Sequence, residues 1–342
     1  MTRGTEDDVR DVLEVGCDES GSDGENLTGG NTDVFAHASV DVPVDVAAAY
    51  LLELRSRIRS PATEYKANHL LREKHRPVLE ALLAPSGPLY GRAHVHLTEK
   101  AYLIVDRAVD LLLDDTADVR ALYRRGRREV GDPEWGAFLA AANRLLRVRG
   151  EGGPPDPVEA FFRALDALRR ADRRTDGPGS AHVTEILGRL AGARSRAGAY
   201  RARVELRYPL IPALNPMLPA IVHTAAHWSR GGRTVRLIHD RQNMLTPDRI
   251  AWIEEAAVRR GAGFGGMELV QAGHDPRIQF ADFLAGIARK IADDVLAGRP
   301  DAELVALLRP YVGPTSVWGD EESWALLGPR AGDRTHAAPS SR

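Results

Sequence analysis

Four acidic residues offer the most distinctive chemistry in this sequence: Asp18, Glu19, Asp240 and Asp282. Asp18 and Glu19 follow a short run rich in β-branched residues, Val12 to Cys17. Asp240 closes a second such run, Thr234 to His239. Asp282 stands among Phe280, Ala281, Phe283 and Leu284, apolar company that sets it apart from an acid on a solvated helix face. Each has a plainer alternative: Asp-Glu-Ser-Gly is ordinary turn chemistry, and an aspartate can simply end a strand. Carboxylates brought to one place repel and need a counter-charge. Hard divalent cations with oxygen ligands, Mg²⁺ or Mn²⁺, answer that need best. Two such ions can activate a water and stabilise the leaving oxygen of a phosphodiester.

Other constellations are weaker. His94 and His96 share a strand face and His223 and His227 share a helix face, so the four together could hold zinc. The helical pair reads His-Thr-Ala-Ala-His, without the glutamate that a zinc-protease motif places after its first histidine. Ser20 lies in Gly-Cys-Asp-Glu-Ser-Gly, which lacks the first glycine of a Gly-x-Ser-x-Gly nucleophile elbow. No phosphate-binding P-loop occurs, and no Gly-x-Gly-x-x-Gly follows a strand. Cys17, the single cysteine, excludes an internal disulfide framework and any cysteine-rich zinc site, and reads as a small buried strand residue.

The elements that must position the acids follow from periodicity. Strands are predicted over Val12 to Cys17, Val34 to Val42, Leu89 to Leu97, Thr234 to His239 and Met267 to Gln271. Helical spacing covers Asp45 to Arg59, then Glu64 to Leu83 with an interruption at Pro77. Residues 101–200 read as almost wholly helical. Thr246-Pro247 opens a helix to Arg260, and another runs from Ile278 to Leu296. Strand–helix alternation toward the C-terminus argues an α/β sheet, whose sites form at the carboxyl ends of strands.

With 342 residues the chain can bury a sizeable core. A formal charge of −2 excludes a uniformly basic coat or an acidic tail. Only Lys66, Lys74, Lys100 and Lys290 are lysines among 46 basic residues, so each lysine is an exception in an arginine-rich chain. From Arg120 to Arg207, 19 arginines face 11 acids, which makes this stretch either a solvated helical surface or a track for phosphates. No apolar run reaches membrane-spanning length and no leader is recognisable, so a cytoplasmic protein without membrane contact is expected.

Asp18-Glu19-Ser20-Gly21, together with Gln279-Phe280-Ala281-Asp282-Phe283-Leu284-Ala285-Gly286, resembles the domain-of-unknown-function family 3800. Glu64-Tyr65-Lys66, Lys100 and Asp240-Arg241-Gln242 fit the same pattern in the same order, so the resemblance spans roughly residues 10–295. Where that family often has Asp-Ser-Lys, this chain has Ala272-Gly273-His274-Asp275. The resemblance implies an α/β, RNase H-like mixed sheet flanked by helices, in one domain over residues 10–330. Residues 101–205 would be a helical insertion or cap, with disordered tails at 1–9 and 331–342. It implies metal at Asp18, Glu19, Asp240 and Asp282, with Glu19 alternatively turned away. Glu64 would be a further ligand. Lys66 would steady the carboxylates or meet a phosphate, and Lys100 would do likewise or assist a leaving group. The activity implied is Mg²⁺- or Mn²⁺-dependent hydrolysis of nucleic acid, DNA or RNA undecided. The alternative is a non-catalytic nucleic-acid- or protein-binding component on the same scaffold. Oligomeric state is not legible.

Overall fold

The computed structural model describes residues 12–59, 66–114, 118–130, 132–148, 156–173 and 180–330. Glu64 and both terminal tails named above lie outside the described residues. The protein is a mixed α/β structure built on an open five-stranded sheet: β1 (Val12–Ser20), β2 (Val34–Val40), β3 (Ala93–Glu99), β4 (Thr234–Asp240) and β5 (Gly263–Val270). Their order is β3-β2-β1-β4-β5. β2 pairs antiparallel with both β1 and β3, whereas β4 is parallel to β1 and β5 to β4. β2 is therefore the one reversed strand, and β1 is the centre.

β1 extends past the predicted Cys17. Gly16 to Ser20 pair with Val40 to Ala36 on β2, so Asp18 and Glu19 are strand residues rather than turn residues. β3 starts four residues after the predicted Leu89 and ends at Glu99; residues 89–92 form a turn instead. β5 begins at Gly263, earlier than predicted, because the Gly-Phe-Gly-Gly start carries few apolar side chains to betray a strand. It is an edge strand with no fully buried residue. At the opposite edge, residues 312–317 lie along β3 and use its free backbone groups: Gly313 N–H donates to Val95 (2.8 Å) and Val317 N–H to Leu97 (2.8 Å). Covering an exposed strand edge in this way removes a template for unwanted pairing.

Helices cover both faces. One face carries α1 (Val44–Ile58), α2 (Ala67–Leu70), α3 (Arg76–Leu83) and the long α12 (Pro276–Leu296), with α13 (Ala302–Leu308) and α14 (Glu321–Leu327) beyond them. The helical stretch predicted up to Leu83 is interrupted between α2 and α3 by a 3₁₀ turn at Glu73–His75 and restarts as α3 with Pro77 in its first turn, the interruption that the sequence placed at Pro77. The other face carries α10 (Met217–Trp228) and α11 (Pro247–Arg259). Alternation along the strands divides the side chains. Ala36, Ala38, Val95 and Leu97 pack toward α12, whereas Val15, Cys17, Phe35 and Leu237 pack toward α10 and α11. Between β3 and α10 come α4 (Lys100–Leu113), α5 (Val119–Arg128), α6 (Asp132–Leu146), α7 (Pro157–Asp172), α8 (Ser180–Gly192) and α9 (Arg194–Leu206). These six enclose a separate apolar core that includes Phe138, Phe161, Leu165 and Leu187.

The last helix is aimed by its start. Asp275 caps α12 by accepting from Arg277 N–H (2.9 Å), and Pro276 occupies its first turn, where no donor is needed. Arg277 lies against Gly16: a Cβ on Gly16 would come within 2.5 Å of the Arg277 Cβ. Farther on, a Cβ on Gly286 would come within 3.9 Å of the Ser20 hydroxyl. So α12 runs alongside β1 in the same direction. Five helical residues advance about 7.5 Å and two strand residues about 6.6 Å, which brings Asp282 level with Asp18.

Candidate active site

Asp18, Asp240 and Asp282 approach one another at the carboxyl edge of β1 and β4, beneath α12. Asp18 is 4 % exposed and accepts a hydrogen bond from Glu19 N–H at 2.8 Å. Burial, then repulsion from Glu19, Asp282 and Asp240, pushes its pKa up to about 9. Glu19 is also buried, and desolvation followed by repulsion from Asp240 raises its pKa to about 7. The charges of Asp240 and Asp282, felt at Asp18 and Glu19, place the four carboxylates in one electrostatic neighbourhood. Asp282 remains partly open to solvent, and Lys66 Nζ lies 3.7 Å from its Oδ2. Lys66 directly precedes α2, which is held tight on α12: a Cβ at Gly286 would fall 2.3 Å from the Ala67 Cβ. The glycine in Phe-Leu-Ala-Gly thus lets Lys66 come close to Asp282.

Glu19 faces the opposite side of the sheet from Asp18. It pairs in register with His37 and lies 4.0 Å from His239 Nε2. The two histidines form a chain of hydrogen bonds. His239 Nδ1 lies 2.8 Å from the Asp240 carbonyl, His37 Nε2 lies 3.3 Å from His239 Nε2, and His37 Nδ1 lies 3.0 Å from the Thr224 hydroxyl. A carbonyl only accepts, so His239 donates from Nδ1 and presents a bare Nε2. His37 must then donate from Nε2 and accept from Thr224. Burial keeps both rings neutral, lowering the pKa of each. This tautomer assignment leaves neither imidazole a proton to give Glu19, and the Glu19 Oε2 is buried without a hydrogen-bond partner. An orphaned buried carboxylate oxygen requires explanation; a proton shared with Asp18 or a bound cation supplies one. Sequence reasoning passed over His37, His239 and Thr224. Alternation within each strand places Glu19 and His37 on the α10 face, but only the pairing register makes them neighbours.

The donor set suits a hard cation: three or four carboxylates, too many negative charges for their burial, and one oxygen unsatisfied. Among the described residues, however, no three His, Cys, Asp or Glu side chains converge as a ready ligand set. The acids are neighbours rather than a preformed cage.

The remaining candidates lie elsewhere. Lys100 is 1 % exposed, and its amine binds the Asp23 carboxylate, the Thr32 carbonyl (2.9 Å) and the Thr32 hydroxyl (2.6 Å). It fastens the β1–β2 loop. Ser20 accepts from Arg289 Nε at 3.0 Å. His94 stacks on His227 and His96 on His223, with ring centroids 3.9 and 5.0 Å apart. Such pairs present ring faces to each other, so the four do not aim nitrogens at a shared centre. Several arginines of the helical block are spent inside it. Arg125 binds Asp172 and Glu129, Arg201 reaches the Leu145 and Arg147 carbonyls, and Arg196 the Leu112 carbonyl.

Compared with protein-family models, with curated proteins and with solved structures, the chain matches none.

Proposed function

We propose that the protein is a divalent-cation-dependent hydrolase of nucleic-acid phosphodiester bonds, on an RNase H-like scaffold of the kind that the domain-of-unknown-function family 3800 would have. The observation that carries this is the meeting of Asp18, Glu19, Asp240 and Asp282, from three elements, at the carboxyl edge of adjacent parallel strands, where burial and the charges of their neighbours raise the pKa of Asp18 and Glu19. A strand order of 3-2-1-4-5 with only the second strand reversed supports the scaffold. In this reading Asp18, Asp240 and Asp282 hold Mg²⁺ or Mn²⁺, and Glu19 supplies a fourth carboxylate from the far side of β1. When bound, the cation supplies Lewis-acid stabilisation of the phosphate and an acidified water. The chain's own part is to hold Asp18 and Glu19 buried, where ionisation alone is unfavourable, beside Asp240 and Asp282. Lys66 keeps the exposed side of Asp282 oriented and stands where a phosphate would approach. No helix among the described residues is long and apolar enough to cross a membrane, and a cytoplasmic location accords with that.

The second reading, a non-catalytic nucleic-acid- or protein-binding component, draws on the absence of a converged ligand set among the described residues. Labelled single- and double-stranded DNA and RNA, incubated with Mg²⁺, Mn²⁺ or excess chelator, separate the two. Cleavage that needs the cation and disappears in Asp282→Asn is expected. Salt-dependent binding of the same strands with no cleavage under any cation would overturn the hydrolase and favour the binder.

A further inference from the structure

A cavity of about 740 Å³ lies away from the acids, walled by α4, α9, α10 and α11, and by the loop before α10. Its size is that of a site for one small organic molecule. None of the four acids lines it. Four guanidiniums do: Arg107 from α4, Arg203 from α9, and Arg259 and Arg260 from the end of α11. Among the described residues Asp110 is the only carboxylate in the lining, and Arg107 lies 3.7 Å from it and 3.7 Å from Asp106. Arg259 has a long contact of 3.4 Å with the exposed Glu255. Among the described residues, no carboxylate pairs with Arg203 or Arg260. Arg260 is instead close enough to His223 to help lower that imidazole's pKa, behind burial. Arg203 lies over the Tyr200 ring, 5.6 Å from its centroid, so it and Arg260 bring to this concave space positive charge that no carboxylate among the described residues offsets, and an entering anion would be attracted to it.

Most of the rest of the lining is apolar. Trp252, half-buried, contributes its indole, and Pro209, Pro212 and Pro219 contribute rings. Asn215 accepts from Leu218 N–H (2.9 Å) through its amide oxygen, and among the described residues its NH₂ has no partner. Guanidiniums are the preferred partners of phosphate oxygens, two or more of them per phosphate chain. Planar heterocycles stack on indole, and a free amide NH₂ can donate to a ring nitrogen or carbonyl.

We infer that this cavity binds a free nucleotide carrying more than one phosphate, with the phosphates on Arg203, Arg259 and Arg260 and the base against Trp252. A monocarboxylate would leave most of the guanidinium charge unneutralised, and a bare oligophosphate would leave the indole and proline surface wet.

The shared chemistry of a free nucleotide and the 5′-phosphorylated end of a strand is separated by the choice of probes. Equilibrium dialysis of the full chain in chelator, where no phosphodiester is cut, would use ADP, pyrophosphate, adenosine and a 5′-phosphorylated oligonucleotide. ADP is expected to bind, with pyrophosphate and adenosine each at least tenfold weaker and the oligonucleotide not competing. ADP should also change tryptophan fluorescence excited at 295 nm, and Trp252→Phe should lose most of that change. Arg259→Glu combined with Arg260→Glu, both at exposed positions, should weaken ADP at least tenfold while the melting temperature stays within about 2 °C of the parent. No ADP binding at millimolar concentration, undiminished binding in the double variant, or equal competition by the oligonucleotide would each overturn the assignment. Because the readout is binding without a cation, its failure is independent of any failure to find a nuclease.

Discussion

Replacing Asp18 by asparagine should make the protein more stable, and only above acidic pH. Asp18 and Glu19 have pKa values raised from 3.8 to about 9 and from 4.5 to about 7, first by burial and then by their neighbours' charges. The folded chain therefore keeps protons that the unfolded chain releases near pH 4. Stability falls as pH rises from about 4, through about 7 for Glu19 and about 9 for Asp18. At pH 8 the Asp18 contribution covers about 4 pKa units, a ceiling near 6 kcal/mol at about 1.4 kcal/mol per unit. Asparagine keeps an acceptor for Glu19 N–H but remains a buried polar side chain, so roughly half that ceiling, about 3 kcal/mol, is the expected gain. Urea unfolding followed by tryptophan fluorescence, in chelator, should show the two proteins nearly equal at pH 4.5 and diverging to about 3 kcal/mol by pH 8. Equal or lower stability of Asp18→Asn at pH 8 would refute the reasoning: Asp18 would then be ionised in the fold, its charge met by a cationic group of the chain.

Gly286→Ala should destabilise the protein by about 1–3 kcal/mol in the same assay, although alanine is the better helix former by about 1 kcal/mol, because its Cβ would meet the Ala67 Cβ at 2.3 Å and neither side chain can rotate away. Nuclease activity, where present, should fall with it as α2 and Lys66 are pushed from Asp282. Lys100→Met should cost about 2–3 kcal/mol and increase proteolysis within residues 21–33, since the amine bound to Asp23 and Thr32 is lost from a buried position. Retained activity in that variant would separate Lys100 from the chemistry. Burial lowers the pKa of His96 to about 3 and of His223 to about 4, so the unfolded chain takes up protons first on acidification. The stability that these two imidazoles contribute is full above pH 6.5 and is lost toward pH 4 and 3; His96→Phe should flatten that part of the fall, measured by circular dichroism across pH 3–7.

Much of this protein was written locally. Asp240 at the end of a β-branched run, Pro247 opening α11, and Asp275-Pro276 opening α12 are short-range signals, set by propensity, capping and the missing proline donor. Mixed α/β architecture followed from the alternation of two periodicities. Strand limits were less legible where pairing decides them. Asp18 and Glu19 look like a turn because glycine and acids surround them, yet hydrogen bonds to β2 hold them extended. The start of β5 is glycine-rich and becomes a strand only by lying beside β4.

The sequence by itself determined which acids were available, which elements bear three of them, and which rare lysines lie near in the chain. Tertiary structure alone decided that Asp282 is level with Asp18, because that depends on α12 running alongside β1 over Gly16 and Gly286. It alone separated Lys66, beside Asp282, from Lys100, locked into a loop. It alone placed Glu19 before neutral His37 and His239 with an oxygen unsatisfied. The physical reason is common to all three. Local preferences act over a few residues, whereas burial and charge–charge energy depend on distances between strands and helices that are tens to hundreds of residues apart in the chain.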